Sequence, residues 1–559
     1  MQMMNIGATI ALFLVLLASA GTVAGPAYAV GGALFGTVLV LALVAVARRR
    51  PGRIRPAGPL VRTGGALLFR SPEKLWLVLV AGFAVVCASV ISHRLFGAIP
   101  HIEDSVAQYF HAKLMAQGQV TMPSHPLPEF FDVPTIINDG RWHSQYPPGH
   151  IAILAIGHLF GVPWLINPLL GGLTVIAVYY LALALHGART AHVASLLAAL
   201  SPFILFMSAE YMNHATGLLF TTLFALNFVK ADRERSVGRA VLAGASMGMV
   251  FLTRPYSAAV IGVPFVVYGL WRWPRDVKGY LRSYVTMGLV FACFFGAQLW
   301  FNYATNGDPF IYGYERLHGP THRPGFGEIS TQYGIEVHSF YRGAKQACSN
   351  VRDLSQMLFE WPITSLVFIV VALLCLRVPA WHLVFLCSLV GLVCAYIYHY
   401  ALGIAFGPRF YYEVVGLLVV VSAYGVMKTP RLLVAVLGLP WRRRAVFATT
   451  TALIGVFFLY GLVVNLPARW RGYEYYWGVH SFFLHKIEKQ YQFENALVFV
   501  SATYRNVHTR NPPTEDAPVI YARDLGTRNQ ALMEHYPQRD VYQQHGGEFL
   551  LIRAGGSQD

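Results

Sequence analysis

Two adjacent carboxylates, Glu103 and Asp104, stand where a long apolar run ends. Partial removal from water at a membrane surface raises the pKa of a carboxyl group toward the working range of a general base. The local alternative for Asp104 is an N-cap, because a helix-compatible stretch follows it and Gly118 can end that stretch. Glu103 is then a solvated neighbour. The apolar face of the stretch suits a helix lying flat on the membrane and consists of Val106, Tyr109, Phe110 and Leu114.

Further polar residues occur in two other segments. Glu210 and His214, in "SAEYMNHATG", are four residues apart and are therefore expected to share a helical face. His318, His322 and Arg323, in "ERLHGPTHRPG", either line the same polar cavity or belong to a flexible outer loop. Glu210 and His214 can bind an acceptor or simply mark a hydrated helix end, and two ligands make a poor metal site. We predict substrate contacts here and no metal site, with dependence on a divalent metal left open.

The composition identifies the class of protein that carries these residues. Of 559 residues, 55% are hydrophobic and only 13% are charged, whereas a soluble protein carries roughly 25% charge. The net charge of +16 would suggest nucleic-acid binding in a soluble protein, but many basic residues lie in short loops, where they orient helices and contact lipid. Six cysteines imply no disulfide framework. The sequence predicts a multi-pass α-helical membrane protein without a nucleic-acid partner.

Thirteen apolar runs have the length of membrane-spanning helices. They cover residues 6–24, 28–47, 75–95, 164–186, 189–208, 213–230, 238–253, 255–272, 282–303, 358–377, 381–400, 409–427 and 446–465. We predict a two-helix extension over residues 1–47 and a transmembrane domain over residues 75–465. The basic clusters "ARRRPGRIR", "KADRERSVGR", "WRWPRDVK" and "PWRRRA" then share one side, which the positive-inside rule makes cytoplasmic.

Three segments are consequently predicted outside: residues 96–163, residues 304–357 and the tail over residues 466–559. The apolar run 150–160 is too short to span and is predicted to lie in the outer interface. The tail contains β-like runs "ALVFVSA", "APVIYARDL", "DVYQQ" and "EFLLIRA" and a helix-like "RNQALMEHY". These features predict a small α/β extracytoplasmic domain.

An ordered set of motifs is spread over residues 75–430. An acidic residue directly after a spanning helix is followed by Ala112–Met115 and by "YPP" (146–148) before an apolar "LFG" run. "LTRPYSA", "WFNYATNGDPFIYGY" and "GPRFYYE" come later. The set resembles the GT-C glycosyltransferases of the protein O-mannosyltransferase and aminoarabinose transferase kind (glycosyltransferase family 39-like). Most relatives have the pair Asp-Glu at this position. The spacing to Ala112 and Met115 aligns Asp104 with the Asp of that pair and Ser105 with the Glu. Aminoarabinose transferases carry Lys where this chain has Tyr146.

The resemblance implies a GT-C fold and a hexosyl- or pentosyltransferase. Such an enzyme moves a sugar from a polyprenyl-phosphate donor to a glycan, lipid or protein acceptor at the outer face of a bacterial-type inner membrane, with inversion. In that reaction an acceptor hydroxyl loses its proton as it attacks, and Asp104 is the expected general base, with Glu103 as the second candidate. Tyr146 and Glu413, from the "YPP" and "GPRFYYE" motifs, are expected in the substrate cavity.

The implied leaving group is a polyprenyl phosphate, whose charge needs compensation. Arginine suits phosphate because its planar fork matches the phosphate oxygens. Arg409 is the first candidate, Arg254 the second, and both compete with snorkelling toward lipid headgroups as an explanation. The outer-side arginines are Arg141, Arg254, Arg316, Arg323, Arg342 and Arg409.

Two other functions fit a polytopic protein with buried charges. In a transporter, Glu210, Arg254 and Arg409 near helix breaks would line a translocation path. In a ligase or flippase, the same residues would handle a lipid-linked glycan without monomer transfer. The sequence shows no inverted repeat, and its distinctive residues collect in outer loops, so the glycosyltransferase is the leading prediction.

Overall fold

The computed structural model of the chain describes residues 73–272, 277–331, 334–375, 378–400, 405–438, 443–474, 476, 483–501, 505–511 and 517–555. The two N-terminal spans predicted within residues 1–47 lie outside the described residues. The described part is largely helical, and small sheets occur only in the segments between and after the long helices.

The first ten α-helices extend to the middle of the chain. They are α1 Glu73–Arg94, α2 Glu103–Ala116, α3 Pro148–Leu159, α4 Pro163–His186, α5 Ala188–Ala199, α6 Pro202–Met207, α7 His214–Glu234, α8 Val237–Thr253, α9 Pro255–Arg272 and α10 Val277–Asn306. The later ones are α11 Gly313–His318, α12 Phe340–Met357, α13 Val367–Leu373, α14 Ala380–Tyr398, α15 Val415–Leu437, α16 Arg443–Tyr460, α17 Leu466–Tyr473, α18 Phe483–Tyr491 and α19 Asn529–His535.

Six helical stretches in the described residues are long and apolar enough to cross a membrane. Each coincides with a predicted span, so the prediction of a multi-pass membrane protein is confirmed. The six are Glu73–Arg94, Pro163–His186, Val277–Asn306, Ala380–Tyr398, Arg409–Val436 and Arg444–Tyr473.

Two predicted spans are not single helices. The run 189–208 is divided into α5 and α6 at Ser201–Pro202. Proline has no N–H to donate, and the Ser201 side chain accepts from the backbone N–H of Ile204, so a new helix begins there. In the run 358–377 the described helix α13 has seven residues, or roughly 10 Å of rise, which is too short for a ~30 Å hydrocarbon layer.

The helices pack around one large apolar core. Helix α4 packs against α1, α5 and α7, while α7 also packs against α8, and α8 against α10. Large rings fill the interior, and the fully buried ones include Tyr179, Phe203, Phe265 and Phe385. By contrast, α10 exposes Leu289 and Trp300, as expected for a helix whose other face contacts lipid.

Residues 96–163, the first segment predicted to lie outside, fold against the bundle. A three-stranded antiparallel sheet, ordered β1 Met122–Pro123, β3 Arg141–Ser144 and β2 Ile136–Asp139, lies between α2 and α3. The apolar face of α2 does not lie on lipid as predicted: Val106, Phe110 and Leu114 are buried in a cluster with Tyr146 and residues of α3. The prediction was wrong because the returning chain covers this face. Helix α3, at 12 residues, is too short to span.

The later non-membrane segments contain two more sheets. Strands β4 Gly327–Thr331 and β5 Gly334–His338 form an antiparallel hairpin before α12. Four strands form a sheet in the order β7-β6-β8-β9, namely β6 Ala496–Val500, β7 Val519–Arg523, β8 Asp540–His545 and β9 Glu548–Arg553. These four strands and α19 occur where the tail patterns predict them.

The tail is attached to residues 96–163 as well as to the helices. Tyr536 is within hydrogen-bonding distance of the His125 ring, 3.0 Å from Nε2, and Arg523 donates to Asp132 at 3.0 Å. Lys113, at the end of α2, donates to the carbonyl of Asn511 at 3.3 Å. The helical run of α16 continues through α17 to Tyr473, so the predicted boundary at residue 466 falls inside a helix.

Candidate active site

Asp104 lies in the first turn of α2, and its side chain points away from the cap. The helix begins at Glu103, and Ser105 closes its N-terminus: the Ser105 hydroxyl accepts from the N–H of Ile102 at 3.2 Å. The N-cap explanation for Asp104 is therefore wrong, because Ser105 closes the turn. Glu103 is half-buried, and its backbone carbonyl accepts from the Thr135 hydroxyl at 2.9 Å.

Arg409 binds the Asp104 carboxylate directly. Its Nη1 atom lies 2.7 Å from Oδ2, and the side chains of Arg409 and Asp104 are only 12% and 23% exposed. Arg409 begins a short 3₁₀ helix, Arg409–Val414, that leads into α15. The two residues are 305 positions apart in sequence, so the fold brings together the predicted base and the first predicted phosphate ligand.

A second, deeper cluster surrounds Glu413, whose side chain is fully buried. Arg254 Nε lies 2.7 Å from Glu413 Oε1, but its N–H bond does not point toward that oxygen. The contact is therefore an ion pair and not a well-aligned hydrogen bond. His214 Nδ1 lies 3.0 Å from the same oxygen, and His214 Nε2 faces an Arg254 nitrogen at 3.3 Å. The tautomer with the proton on Nδ1 satisfies both contacts. Arg254 itself occupies the break between α8 and α9.

Three tyrosines connect the two clusters. The rings of Tyr146 and Tyr314 meet edge-to-face at 5.5 Å, and Arg254 donates to the Tyr396 hydroxyl at 3.2 Å. Burial raises the pKa of Tyr146, and the nearby charge of Asp104 raises it further; burial also raises the pKa of Tyr314. Both phenols therefore stay protonated and uncharged beside the charged groups, and the Tyr146 hydroxyl accepts from the Gln145 side-chain amide at 3.4 Å.

Backbone packing places the "YPP" segment against the Arg254 break. Pro147 is extended and Pro148 occupies the first turn of α3, as the sequence predicts. At Gly149 a Cβ atom would lie 2.6 Å from Thr253 Oγ1 and 2.8 Å from the Leu252 carbonyl oxygen. Only glycine permits this approach, which keeps the start of α3 beside the end of α8.

Glu210 supports the turn before α2 instead of lining a face with His214. The predicted shared face is wrong because α7 begins at His214, which leaves Glu210 in the preceding turn. Its carboxylate accepts from the backbone N–H groups of His101 and Tyr211, at 2.6 Å and 2.5 Å, and lies 3.4 Å from the Ser105 hydroxyl. Burial raises the pKa of Glu210 to about 7, although these hydrogen bonds lower it.

The remaining predicted residues lie nearer the surface. His318 contacts the side-chain oxygen of Gln145 at 3.1 Å, next to Tyr146, and its ring lies 4.6 Å from that of His322. Arg323 is exposed and forms an ion pair with Glu315. Arg141 is exposed and donates to the carbonyl of Ala304 at 2.8 Å, at the end of α10, rather than to the Asp104 cluster. No group of three or more His, Cys, Asp or Glu suitable for a metal occurs within the described part of the chain.

Tyr314, Tyr396 and Ser105 were not singled out as site residues from the sequence. Tyr314 closes the motif "WFNYATNGDPFIYGY", which was available as a signal. Tyr396 lies inside an ordinary apolar helix, where nothing in the sequence distinguishes it. Ser105 occupies the position at which relatives carry Glu, and the structure places the Glu210 carboxylate beside it.

Comparison with known proteins agrees with this architecture. Residues 150–300 match the family model described as dolichyl-phosphate-mannose-protein mannosyltransferase. The structure of ArnT from Cupriavidus metallidurans bound to undecaprenyl phosphate is similar to this chain, with a TM-score of 0.50 and 16% identity, over 84% of this chain and 90% of ArnT. The chain has a GT-C fold. The resemblance predicted from the motifs is therefore confirmed.

Two other solved structures are more distant from this GT-C chain. ArnT in the apo state matches with 14% identity and a TM-score of 0.47, over 84% of this chain and 93% of ArnT. The Archaeoglobus fulgidus oligosaccharyltransferase in the apo form matches with 13% identity and a TM-score of 0.45, over 78% of this chain. The match spans 64% of that longer enzyme. A comparison with curated proteins found no match.

Proposed function

We propose that this GT-C chain is a membrane glycosyltransferase that moves a sugar from a polyprenyl-phosphate donor to an acceptor hydroxyl. The observation that carries the proposal is the 2.7 Å contact between Asp104 and Arg409. It joins a carboxylate able to accept a proton with a guanidinium able to bind phosphate, which are the two groups that such a transfer requires. ArnT, which has the same fold, binds undecaprenyl phosphate, and this supports a lipid phosphate as part of the donor.

The chemical step is a single displacement. The acceptor oxygen forms a bond to the anomeric carbon while the bond from that carbon to the phosphate oxygen breaks. The electron pair leaves with the polyprenyl phosphate, and the hydroxyl proton passes to the Asp104 carboxylate. Attack opposite the leaving phosphate inverts the anomeric centre.

Arg409 and Arg254 have different capacities for the leaving phosphate. The Nε atom of Arg409 is buried and has no hydrogen-bond partner among the described residues, so it can donate to a phosphate oxygen while Nη1 contacts Asp104. Arg254 is more fully engaged, because its Nε lies 2.7 Å from the fully buried Glu413 carboxylate and its two terminal nitrogens contact His214 at 3.3 Å and the Tyr396 hydroxyl at 3.2 Å. Arg409 is therefore the main phosphate ligand in the proposal, and Arg254 chiefly shapes the cavity.

The finer features of the proposal come from the topology. The predicted topology, which rests on the basic clusters that share one side, puts residues 96–163 and 304–357 outside the cytoplasm. In the proposal, transfer therefore takes place at the outer face of a bacterial-type inner membrane. The acceptor is a glycan, lipid or protein. The tail, as an extracytoplasmic α/β domain, contacts the first outer segment through Tyr536 and Arg523 and can contribute to acceptor recognition.

The test uses the purified chain in liposomes with a polyprenyl-phosphate sugar labelled in the sugar. We expect covalent transfer to a hydroxyl acceptor, reduced by about 10²–10⁴ in Asp104→Asn. Asp139→Asn is the matched control and should keep normal transfer. Asp139 lies in the same segment as Asp104 (residues 96–163) and also pairs with an arginine, Arg316, but its side chain is 75% exposed. Full activity in Asp104→Asn, or uptake of solute into the liposomes without a covalent product, would overturn the proposal.

A further inference from the structure

The hairpin formed by β4 and β5 is fastened to one end of the spanning helix α14. The N–H of Gly325 donates to the carbonyl of Tyr398 at 3.1 Å, and His338 Nε2 lies 3.0 Å from the carbonyl of Ile397. Gly343 of α12 packs on Ile397, where a Cβ atom would lie 2.1 Å from the carbonyl oxygen. The last carbonyls of a helix have no partner within the helix, so these contacts satisfy them.

These contacts determine the height of the hairpin relative to the bilayer. Helix α14, Ala380–Tyr398, is one of the six stretches able to cross a membrane, and its last turn is the turn that the hairpin contacts. The ring of Phe326 also lies 5.3 Å from that of Tyr398. Because the end of a spanning helix lies at the membrane–water boundary, the hairpin must lie at the same level.

The hairpin presents a largely apolar surface at that level. Ile335 and Val337, two residues apart on β5, point to the same side and are 73% and 62% exposed. Phe340 and Tyr341, in the first turn of α12, are 66% and 77% exposed, and Phe326 is 49% exposed. We call these five residues the hairpin surface. Adjacent large apolar side chains with this exposure mark a surface that contacts something other than water.

The polar residues of the hairpin favour lipid headgroups as the neighbouring medium. The strand register pairs Ser330 with Ile335 and Glu328 with Val337. Paired residues lie on the same side of the hairpin, so this side carries polar side chains on β4 next to apolar ones on β5. Lys345, one turn after Tyr341 on α12, is exposed, whereas Arg342 is already paired with Glu336 at 2.7 Å. Exposed rings and aliphatic groups with basic residues beside them are typical of the interfacial zone, where rings enter the acyl boundary and cations meet lipid phosphates.

We propose that the hairpin surface inserts into the interfacial zone of the outer leaflet and binds phospholipid. This inference goes beyond the proposed transfer reaction and does not depend on it. The surface is connected to the candidate site: His322 Nδ1 lies 2.6 Å from the carbonyl of Ser330 in β4, and the His322 ring stacks near that of Tyr314 at 6.3 Å. Lipid contact at the hairpin therefore holds the site's outer wall against the membrane.

The test is photo-crosslinking in proteoliposomes of phosphatidylethanolamine and phosphatidylglycerol. A benzophenone amino acid replaces Ile335, Glu336, Val337 or Tyr341, one at a time, in the full chain. Glu336 is the matched control, because it lies between the two exposed apolar residues, points to the opposite side and pairs with Arg342 at 2.7 Å. We expect phospholipid adducts, identified by mass, at positions 335, 337 and 341, and no phospholipid adduct at position 336.

Three results would overturn the inference. Absence of lipid adducts at all four positions would mean that the hairpin surface faces water. Adducts to a second copy of the chain would identify an interface between subunits. Equal adducts at 335, 336 and 337 would contradict the alternation on which the argument depends. Elution of each variant as a single species confirms folding, and Tyr341 on α12 provides an independent result if a variant of the strand misfolds.

Discussion

A phosphate that binds Arg409 must approach the Asp104 carboxylate, because the two side chains are only 2.7 Å apart. The negative charge of Asp104 therefore serves proton transfer but opposes binding of the lipid phosphate. Asp104→Asn separates the two effects, since asparagine keeps an oxygen that can accept from Arg409 and removes the charge. We expect this variant to lose turnover and to bind a polyprenyl phosphate more tightly than the natural chain does.

The magnitude follows from the distances. An oxygen of the phosphate on the far side of the guanidinium lies roughly 5 Å from Asp104, given the usual ~2.8 Å charge-assisted hydrogen bond. Two unit charges at ~5 Å repel by about 1 kcal/mol in water and about 3 kcal/mol at the effective dielectric of a partly buried site. The side chains of Arg409 and Asp104 are 12% and 23% exposed, which places the site between these limits. Removal of the charge should tighten binding roughly 5- to 150-fold.

The assay measures binding of a sugar-free polyprenyl phosphate to the purified chain in nanodiscs, from the dependence of the thermal midpoint on ligand concentration. Arg409→Gln should weaken binding, and Asp139→Asn, in an exposed pair, should leave it unchanged. Equal or weaker binding by Asp104→Asn would refute the reasoning, because it would mean that the phosphate does not come close to the carboxylate.

Three further outcomes are expected, with stability measured by unfolding in detergent and turnover by the transfer assay. Glu413→Gln should cost about 3–5 kcal/mol, because it leaves the buried charge of its arginine partner without compensation, whereas Asp139→Asn should cost ~0–1 kcal/mol. Gly149→Ala should cost about 1–3 kcal/mol and lower turnover, since its Cβ would lie 2.6 Å from a threonine hydroxyl. Burial lowers the pKa of His111 to about 3, so the contribution of His111 to stability, fully present above pH 6.5, should fall as the pH falls, by about 2 kcal/mol at pH 5.

Each of these predictions has an internal control. Gly296→Ala, where nothing lies within 4 Å of the new Cβ, should stabilise α10 by about 0.4–1 kcal/mol. Between pH 7 and pH 5 the natural chain should lose about 2 kcal/mol more stability than His111→Gln, because the variant lacks this contribution. The raised pKa of Glu210, about 7, contributes in the opposite direction. The stability that comes from its protonated form is present below pH 4.5 and is lost as the pH rises from 4.5 to above 7. The argument about the buried pair is contradicted if Glu413→Gln and Asp139→Asn destabilise the chain equally. The argument about the close approach is contradicted if the two glycine variants have equal effects. The argument about His111 is contradicted if His111→Gln leaves the dependence of stability on pH unchanged.

Helix α2 shows what a local sequence pattern can and cannot predict. The spacing of Val106, Phe110 and Leu114 predicts an amphipathic helix, and Gly118, with φ of +77°, follows its end. The same spacing does not indicate whether lipid or protein covers the apolar face. That depends on α3 and the "YPP" turn, which return from about forty residues later in the chain to pack on it.

The sequence by itself determined the membrane class, the positions of six spanning helices, the strands of the tail and the family motifs, because each depends on composition or on periodicity over a few turns. Only the tertiary structure decided which polar side chains meet. Asp104 and Arg409, Arg254 and Glu413, and Glu210 and Ser105 are pairs separated by more than a hundred residues. A local pattern reports how a segment is arranged relative to its own axis, whereas these contacts depend on how distant helix ends come together at one side of the bundle.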